Sequence, residues 1–94
     1  MKFLVVNGPN INMTGIREQG VYGARNYAEI TAMIQAEAKR REIEIEVVQS
    51  NIEGEMINAI QRCYFENMDG LIINPGAYTH TSYALHDAIK SIAP

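Results

Sequence analysis

Hydrophobic and polar positions along the chain follow two different periods. The runs 3–6 and 71–73 are apolar throughout, as in buried strands, whereas residues 42–49 alternate charged and aliphatic side chains, as in a strand with one wet face. Between these runs, apolar residues recur at helical spacing. Strands that alternate with amphipathic helices predict βαβ units and a parallel sheet, so we expect an α/β domain.

The spacing predicts three helices. The first is expected to begin at Asn26, which with Glu29 three residues later resembles a capping box. The second follows Asn51, and the third begins near Thr81. Their inward-facing positions are expected to be Ile30, Met33, Ile34 and Ala38 in the first, Met56, Ile57, Ile60 and Tyr64 in the second, and Leu85, Ala88, Ile89 and Ile92 in the third.

The third predicted strand would have no neighbouring strand on one side. In a sheet of order 2-1-3 the run 71–73, apolar on both faces like a central strand, forms an exposed edge, which sheet proteins avoid. Pro94 follows the third helix, and a proline there commonly leads into a further element. The pattern is that of the first three βα units of a longer domain. A fourth strand, supplied by another chain or lost by truncation, would account for it.

Composition narrows the class of partner. At 94 residues and 47% hydrophobic, the chain is expected to form one domain over residues 1–94. A net charge of -3 with scattered basic residues argues against nucleic acid and anionic membranes, and the first apolar run is too short for a signal peptide or a membrane span. The single cysteine, Cys63, is interpreted as a buried structural thiol in a reducing cytoplasm.

Two polar loops follow the first and third strands directly, at 7–10 and 74–80. In open parallel sheets ligands bind beyond the carboxyl ends of the strands, where the strand order reverses, so both loops are expected to face one crevice. The loop 74–80 offers an amide, backbone N–H groups and the His80 imidazole, a set suited to binding hydroxyls and a carboxylate. Taken alone, His80 is more typical of a structural or capping residue, and His86 of a solvated or partner-facing side chain.

The segment 7–23 forms a long loop of the kind that is usually functional. It places Arg17 five residues before Tyr22. Because a phenol titrates at about pH 10, Tyr22 can act as a general base only if a nearby guanidinium stabilises its phenolate. Spacing alone favours the alternative in which Arg17 pairs with Glu18 or solvent and Tyr22 packs.

Two kinds of chemistry are not expected. His, Cys and carboxylate residues do not recur at ligand spacing, so we predict no metal site. The loop 7–10 lacks the Gly-Lys-Ser/Thr ending of a phosphate-binding P-loop, so ATP chemistry is not predicted either.

Three segments in register resemble type II 3-dehydroquinate dehydratase: the loop 7–23, Gln49-Ser50-Asn51 with Glu53-Gly54-Glu55, and the loop 74–82. The resemblance covers the whole chain without gaps. It implies a flavodoxin-like fold, no cofactor, and a homo-oligomer of trimers usually gathered into dodecamers. It also implies that 3-dehydroquinate is dehydrated to 3-dehydroshikimate, in the shikimate pathway or in quinate breakdown.

The resemblance also implies roles for individual residues. Tyr22 matches the base that removes a proton alpha to the ketone in an anti elimination through an enolate, and Arg17 matches the residue that favours its phenolate. Asn10 matches the residue that positions a water near the enolate oxygen. The remaining matches bind substrate; they are Asn74, Gly76 and His80, with Asp87 reaching into a neighbouring subunit's site.

The chain departs from the family pattern in two places. The family continues past the position of Pro94 with a fourth strand and a loop that carries the histidine protonating the leaving hydroxyl, so activity of these residues alone is expected to be strongly impaired. In the loop 7–23, Thr14 and Gln19 replace the leucine and proline that are usual in the family. The alternatives are a non-catalytic binding or scaffold subunit and, less favoured, an FMN or phosphate binder of this fold class.

Overall fold

The fold is a parallel sheet with helices on both faces. The computed structural model describes residues 1–16 and 26–93. Its strands are β1 (Lys2–Asn7), β2 (Glu44–Gln49) and β3 (Gly70–Asn74), and its α-helices are α1 (Tyr27–Arg40), α2 (Glu53–Phe65), the short α3 (Tyr78–Thr81) and α4 (Tyr83–Ile92). The sheet has the order β2-β1-β3 with parallel pairing throughout. The predicted α/β class and strand order are confirmed.

Local signals set most of the element boundaries. The Asn26 side chain accepts a hydrogen bond from the Glu29 N–H at 2.9 Å, which confirms that Asn26 caps the first helix. The third predicted helix begins at Tyr83 as α4, and the short α3 precedes it in a segment that was predicted to be mostly loop. Ser82 separates the two helices, because it adopts an extended conformation and its side chain caps α4 through the Leu85 N–H at 3.0 Å. β2 starts later than predicted, since Glu42 has a left-handed φ of 59° in the turn after α1.

The main core lies between the sheet and the helices α2 and α4. Leu4 and Val6 point into it from β1. In α2 the buried positions are Met56, Ala59, Ile60 and Cys63, which form one stripe at helical spacing. Burial also raises the pKa of the Cys63 thiol, and the interpretation of Cys63 as a buried structural residue is confirmed.

The prediction that Tyr64 faces inward is wrong. Its side chain is 67% exposed and stacks edge-to-face on Phe65, with ring centroids 5.3 Å apart. The stripe of buried residues in α2 is already complete at Cys63, so Tyr64 lies beside it at the rim of the helix.

The opposite face of the sheet is less completely covered. Helix α1 lies over it and contributes to an apolar groove lined by Phe3, Ile34, Ile45 and others. Met33, predicted to face inward, is 51% exposed in this groove, and Ile72 of β3 is 56% exposed. Among the described residues, β3 pairs with β1 alone, so it forms an edge of the sheet, as the strand order predicted.

An ion-pair cluster joins β2 to α2. The Arg62 guanidinium donates two hydrogen bonds to Glu46 at 2.8 and 2.9 Å and two more to Glu66 at 2.6 and 3.1 Å. Arg62 lowers the pKa of both carboxyls. These contacts account for the charge at Glu46, whose carboxylate pairs with a guanidinium of the helix that packs beside β2.

Replacing Arg62 with methionine is expected to destabilise the protein more at pH 7 than at pH 3. The pKa values of Glu46 and Glu66 are lower in the folded chain than their ordinary 4.5, so their contribution is complete above that pH and is lost as the pH falls through the folded values. Urea denaturation of both proteins at the two pH values measures the difference. Lys90→Met, which removes an exposed cation from α4, is the charge control, and an equal effect of Arg62→Met at both pH values would contradict the prediction.

Candidate functional site

The carboxyl ends of all three strands meet at one edge of the sheet, and backbone hydrogen bonds join the loops that follow them. The Gly8 N–H donates to the Asn74 carbonyl at 2.8 Å, and the Ser50 N–H donates to the Asn7 carbonyl at 3.0 Å. The loops after β1 and β3 are therefore neighbours, as predicted, and the loop after β2 adjoins them on the other side of β1.

Two glycines allow the first and third loops to pack closely. A Cβ built on Gly8 would lie 2.8 Å from the Pro75 carbonyl oxygen and 2.9 Å from its carbon. Gly76 has a φ of 61°, and a Cβ there would lie 3.1 Å from the Pro9 carbonyl oxygen. Larger side chains at these positions would separate the loops, so the glycines set the distance between the two polar segments.

Asn10 lies at the start of a short 3-10 helix (Ile11–Met13) and is exposed. Its backbone has a left-handed φ of 70°, which asparagine tolerates better than most residues. Its N–H donates a 3.0 Å hydrogen bond to the side-chain oxygen of Asn51. Asn10, predicted to be a catalytic residue, is thus held by the loop after β2.

Gln49 is the centre of a cluster of amides beside Asn10. Its Nε2 lies 3.2 Å from the Gly8 carbonyl oxygen, 3.3 Å from Asn12 Oδ1 and 3.1 Å from Asn51 Oδ1. The Gln49 side chain therefore links the loop after β1, through Gly8 and Asn12, to Asn51 in the loop after β2.

Two buried polar side chains support the first loop from behind. Asn7 is 8% exposed, and its Nδ2 lies 3.5 Å from the Tyr27 hydroxyl at the first turn of α1, a long hydrogen bond. Thr14 is 7% exposed and donates to the Ile11 carbonyl at 2.6 Å, so the threonine at this position closes the 3-10 turn on itself.

The other predicted substrate-binding residues lie on or beside the third loop. Asn74 ends β3 opposite Asn7, and His80 is exposed on α3, which begins two residues after Gly76. Asp87 is exposed on α4. His86, predicted to be solvated, is exposed, and its Nε2 also lies 3.3 Å from the Thr79 carbonyl oxygen, which links α4 to α3.

The structure thus brings Asn10, Asn74 and Gly76 to one edge of the sheet, while Arg17 and Tyr22 lie outside the described residues. Gln49 and Asn51 were not predicted to be site residues. Gln49 is the last residue of β2 and Asn51 lies two residues beyond it, so the rule that identified the other two loops, polar residues at the carboxyl end of a strand of a parallel sheet, applies to them as well.

Two properties of residues 1–16 and 26–93 bear on the kind of site. No group of three or more His, Cys, Asp and Glu side chains is arranged there to hold a metal ion. Within the same residues, no helix has both the length and the apolar character needed to cross a membrane.

Comparison with known proteins identifies the family. The model of the family "dehydroquinase class II" matches residues 1–94. A 3-dehydroquinate dehydratase of Clostridium beijerinckii is 60% identical over 92 residues, which are 98% of this chain and 63% of that protein. The chain therefore spans less than two thirds of the length of this relative.

Solved structures agree. The type II dehydroquinase of Butyrivibrio crossotus superposes with a TM-score of 0.95 at 53% identity, and that of Propionibacterium acnes with 0.91 at 28%; each match covers 98% of this chain and 63% of the other. The resemblance first noted in the three loop motifs is therefore matched by the fold of the described residues, and the chain belongs to the class II dehydroquinase family.

Proposed function

We propose that these residues supply the proton-abstracting part of a type II 3-dehydroquinate dehydratase. The observation that carries the proposal is the family match over residues 1–94, a span that includes Arg17, Tyr22 and all three loops. The loops that meet at the carboxyl edge of the sheet support it, because parallel α/β sheets bind ligands there.

The proposed reaction begins at the carbon alpha to the ketone. The Tyr22 phenolate removes a proton from that carbon, and the C–H bonding electrons move toward the ketone oxygen to form an enolate. Asn10 holds a water near the enolate oxygen. When the enolate collapses, the beta hydroxyl leaves with a proton from a general acid, and water and the conjugated enone are formed.

The third loop is proposed to bind the rest of the substrate. Amide, imidazole and backbone N–H groups at Asn74, His80 and Gly76 match the hydroxyls and the carboxylate of 3-dehydroquinate. Asp87 is exposed on α4, where another subunit can approach it, and we propose that it completes the site of a neighbouring protomer in a cytoplasmic homo-oligomer, a trimer or a dodecamer.

Proton abstraction can be measured separately from the loss of water. We would incubate the 94-residue chain with 3-dehydroquinate in deuterated buffer, follow the signal of the alpha proton by NMR, and record the ultraviolet absorbance of the enone product in parallel. We expect deuterium to enter at the alpha carbon faster than in buffer alone, and product to form more slowly than deuterium enters. The NMR signal reports on proton abstraction, whereas the absorbance reports on the later loss of water.

Binding without deuterium incorporation above the rate in buffer would overturn the proposal. A change in the NMR line widths of the substrate measures binding in the same sample. That outcome would favour the alternative of a binding or scaffold subunit, which holds the substrate and leaves its C–H bond intact.

A further inference from the structure

We propose that Asn51 is a positioning residue that fixes Asn10 in its working conformation through one hydrogen bond. The inference rests on the proposed function, since it assigns Asn51 a part in the proton-abstraction step through Asn10. The contact joins residues 41 positions apart in the sequence, at 3.0 Å between the Asn10 backbone nitrogen and Asn51 Oδ1.

The backbone of Asn51 is held from both sides. On one side, Ser50 is joined to β1 through its N–H bond to the Asn7 carbonyl at 3.0 Å. On the other, the Ser50 hydroxyl accepts from the Ile52 N–H at 2.9 Å and donates to a Glu55 carboxylate oxygen at 2.5 Å. Asn51 therefore lies on a tight turn between β2 and α2, both of which pack against the core.

Hydrogen-bonding chemistry determines the orientation of the Asn51 amide. A backbone N–H can only donate, so the atom of Asn51 that faces Asn10 must be the oxygen. The atom of Gln49 that faces this oxygen at 3.1 Å must then be the NH₂ group, which is also the group required beside the Gly8 carbonyl. Flipping the Asn51 amide would set its NH₂ group against the Asn10 N–H, and flipping the Gln49 amide would set its oxygen against the Gly8 carbonyl oxygen.

The contact matters because of the conformation it holds. Asn10 has a left-handed φ of 70°, which a non-glycine residue adopts rarely and keeps only when its surroundings favour it. Asn10 is also exposed, so side-chain packing contributes little to its orientation. Loss of the Asn51 acceptor is therefore expected to let the Asn10 backbone relax. The Asn10 side chain, which is proposed to hold a water near the enolate oxygen, would then move.

The first test measures the contact itself. In Asn51→Ala, hydrogen exchange of the Asn10 amide, followed by NMR, is expected to accelerate by about three- to tenfold, the range of one neutral hydrogen bond. Asn51→Asp keeps an acceptor and is expected to keep the protection. Asn58→Ala, which removes another exposed asparagine in α2, is the matched control. Equal protection in Asn51→Ala and the wild type would overturn the inference.

The second test measures the step that Asn51 is proposed to support. In the deuterium-incorporation assay, Asn51→Ala is expected to lower kcat by about three- to tenfold and to leave KM unchanged, because Asn51 does not touch the substrate. In an Asn10→Ala background the same substitution is expected to have no further effect, since Asn51 acts through Asn10. A further loss in the double variant, or a change confined to KM, would overturn the positioning role.

The two tests separate the failure of this inference from that of the proposed function. If the wild-type chain incorporates no deuterium, the proposed function fails and the kinetic role of Asn51 fails with it, whatever the amide protection shows. If the wild type is active and Asn51→Ala matches it in both measurements, the proposed function stands and the inference about Asn51 is wrong.

Discussion

Replacing Tyr22 with phenylalanine is expected to slow deuterium incorporation into 3-dehydroquinate by about two to four powers of ten, the usual contribution of a general base. The substitution removes one oxygen atom and leaves the ring. Since phenylalanine has no group that can accept a proton, the alpha C–H bond would be broken only by solvent or buffer. The NMR assay described above measures the rate in both proteins under identical conditions.

The role of Arg17 in the same step gives a second observable. The base must be deprotonated to react, so the rate of the wild type is expected to rise with pH and then level off. If Arg17 stabilises the phenolate, as the family resemblance implies, the rate of Arg17→Met is expected to level off at a higher pH. A variant whose rate falls equally at all pH values would instead indicate that Arg17 binds substrate.

Tyr83→Phe is the matched control for the tyrosine variant. Tyr83 is 89% exposed at the start of α4, so its hydroxyl can be removed without disturbing the core. We expect this variant to incorporate deuterium at the wild-type rate. Equal activity of Tyr22→Phe and the wild type would show that another group removes the proton.

Most of the fold could be predicted from the sequence because its elements are encoded locally. The run 3–6 and the Asn26–Glu29 pair each act within a few residues, and the structure places β1 and the start of α1 where they predict. Strand order followed from the same pattern, since the alternating run 42–49 is typical of an edge. The errors occurred where a local pattern was ambiguous, as at Tyr64, which lies at the margin of an otherwise buried stripe.

The site was predictable only in part, for a physical reason. Polar residues after β1 and β3 identified the edge of the sheet at which Asn10 and Asn74 lie. The contacts that hold Asn10, however, come from Gln49 and Asn51, and pairing across such separations depends on the register of β1 and β2. A single sequence gives strand order more readily than register, and side-chain amides have no periodicity that marks their partners.

Gly8→Ala is expected to lower the free energy of unfolding by about 1–3 kcal/mol, the usual cost of an added methyl in a closely packed site. The new Cβ would lie 2.8 and 2.9 Å from the carbonyl oxygen and carbon of Pro75 and 3.0 Å from the Met56 side chain. The methionine can move aside, but the Pro75 carbonyl is backbone. Its displacement would lengthen the 2.8 Å bond between Gly8 and Asn74 and separate the first and third loops.

Urea denaturation provides the measurement, and Gly54→Ala provides the control. Gly54 lies in the first turn of α2 with no atom within 4 Å of an added Cβ, so alanine there is expected to raise stability by about 0.5–1 kcal/mol through helix propensity. The same chemical change thus has opposite signs at two positions. If Gly8→Ala were as stable as the wild type, the loops after β1 and β3 would have room to move apart at no cost, and their close approach would not define the site.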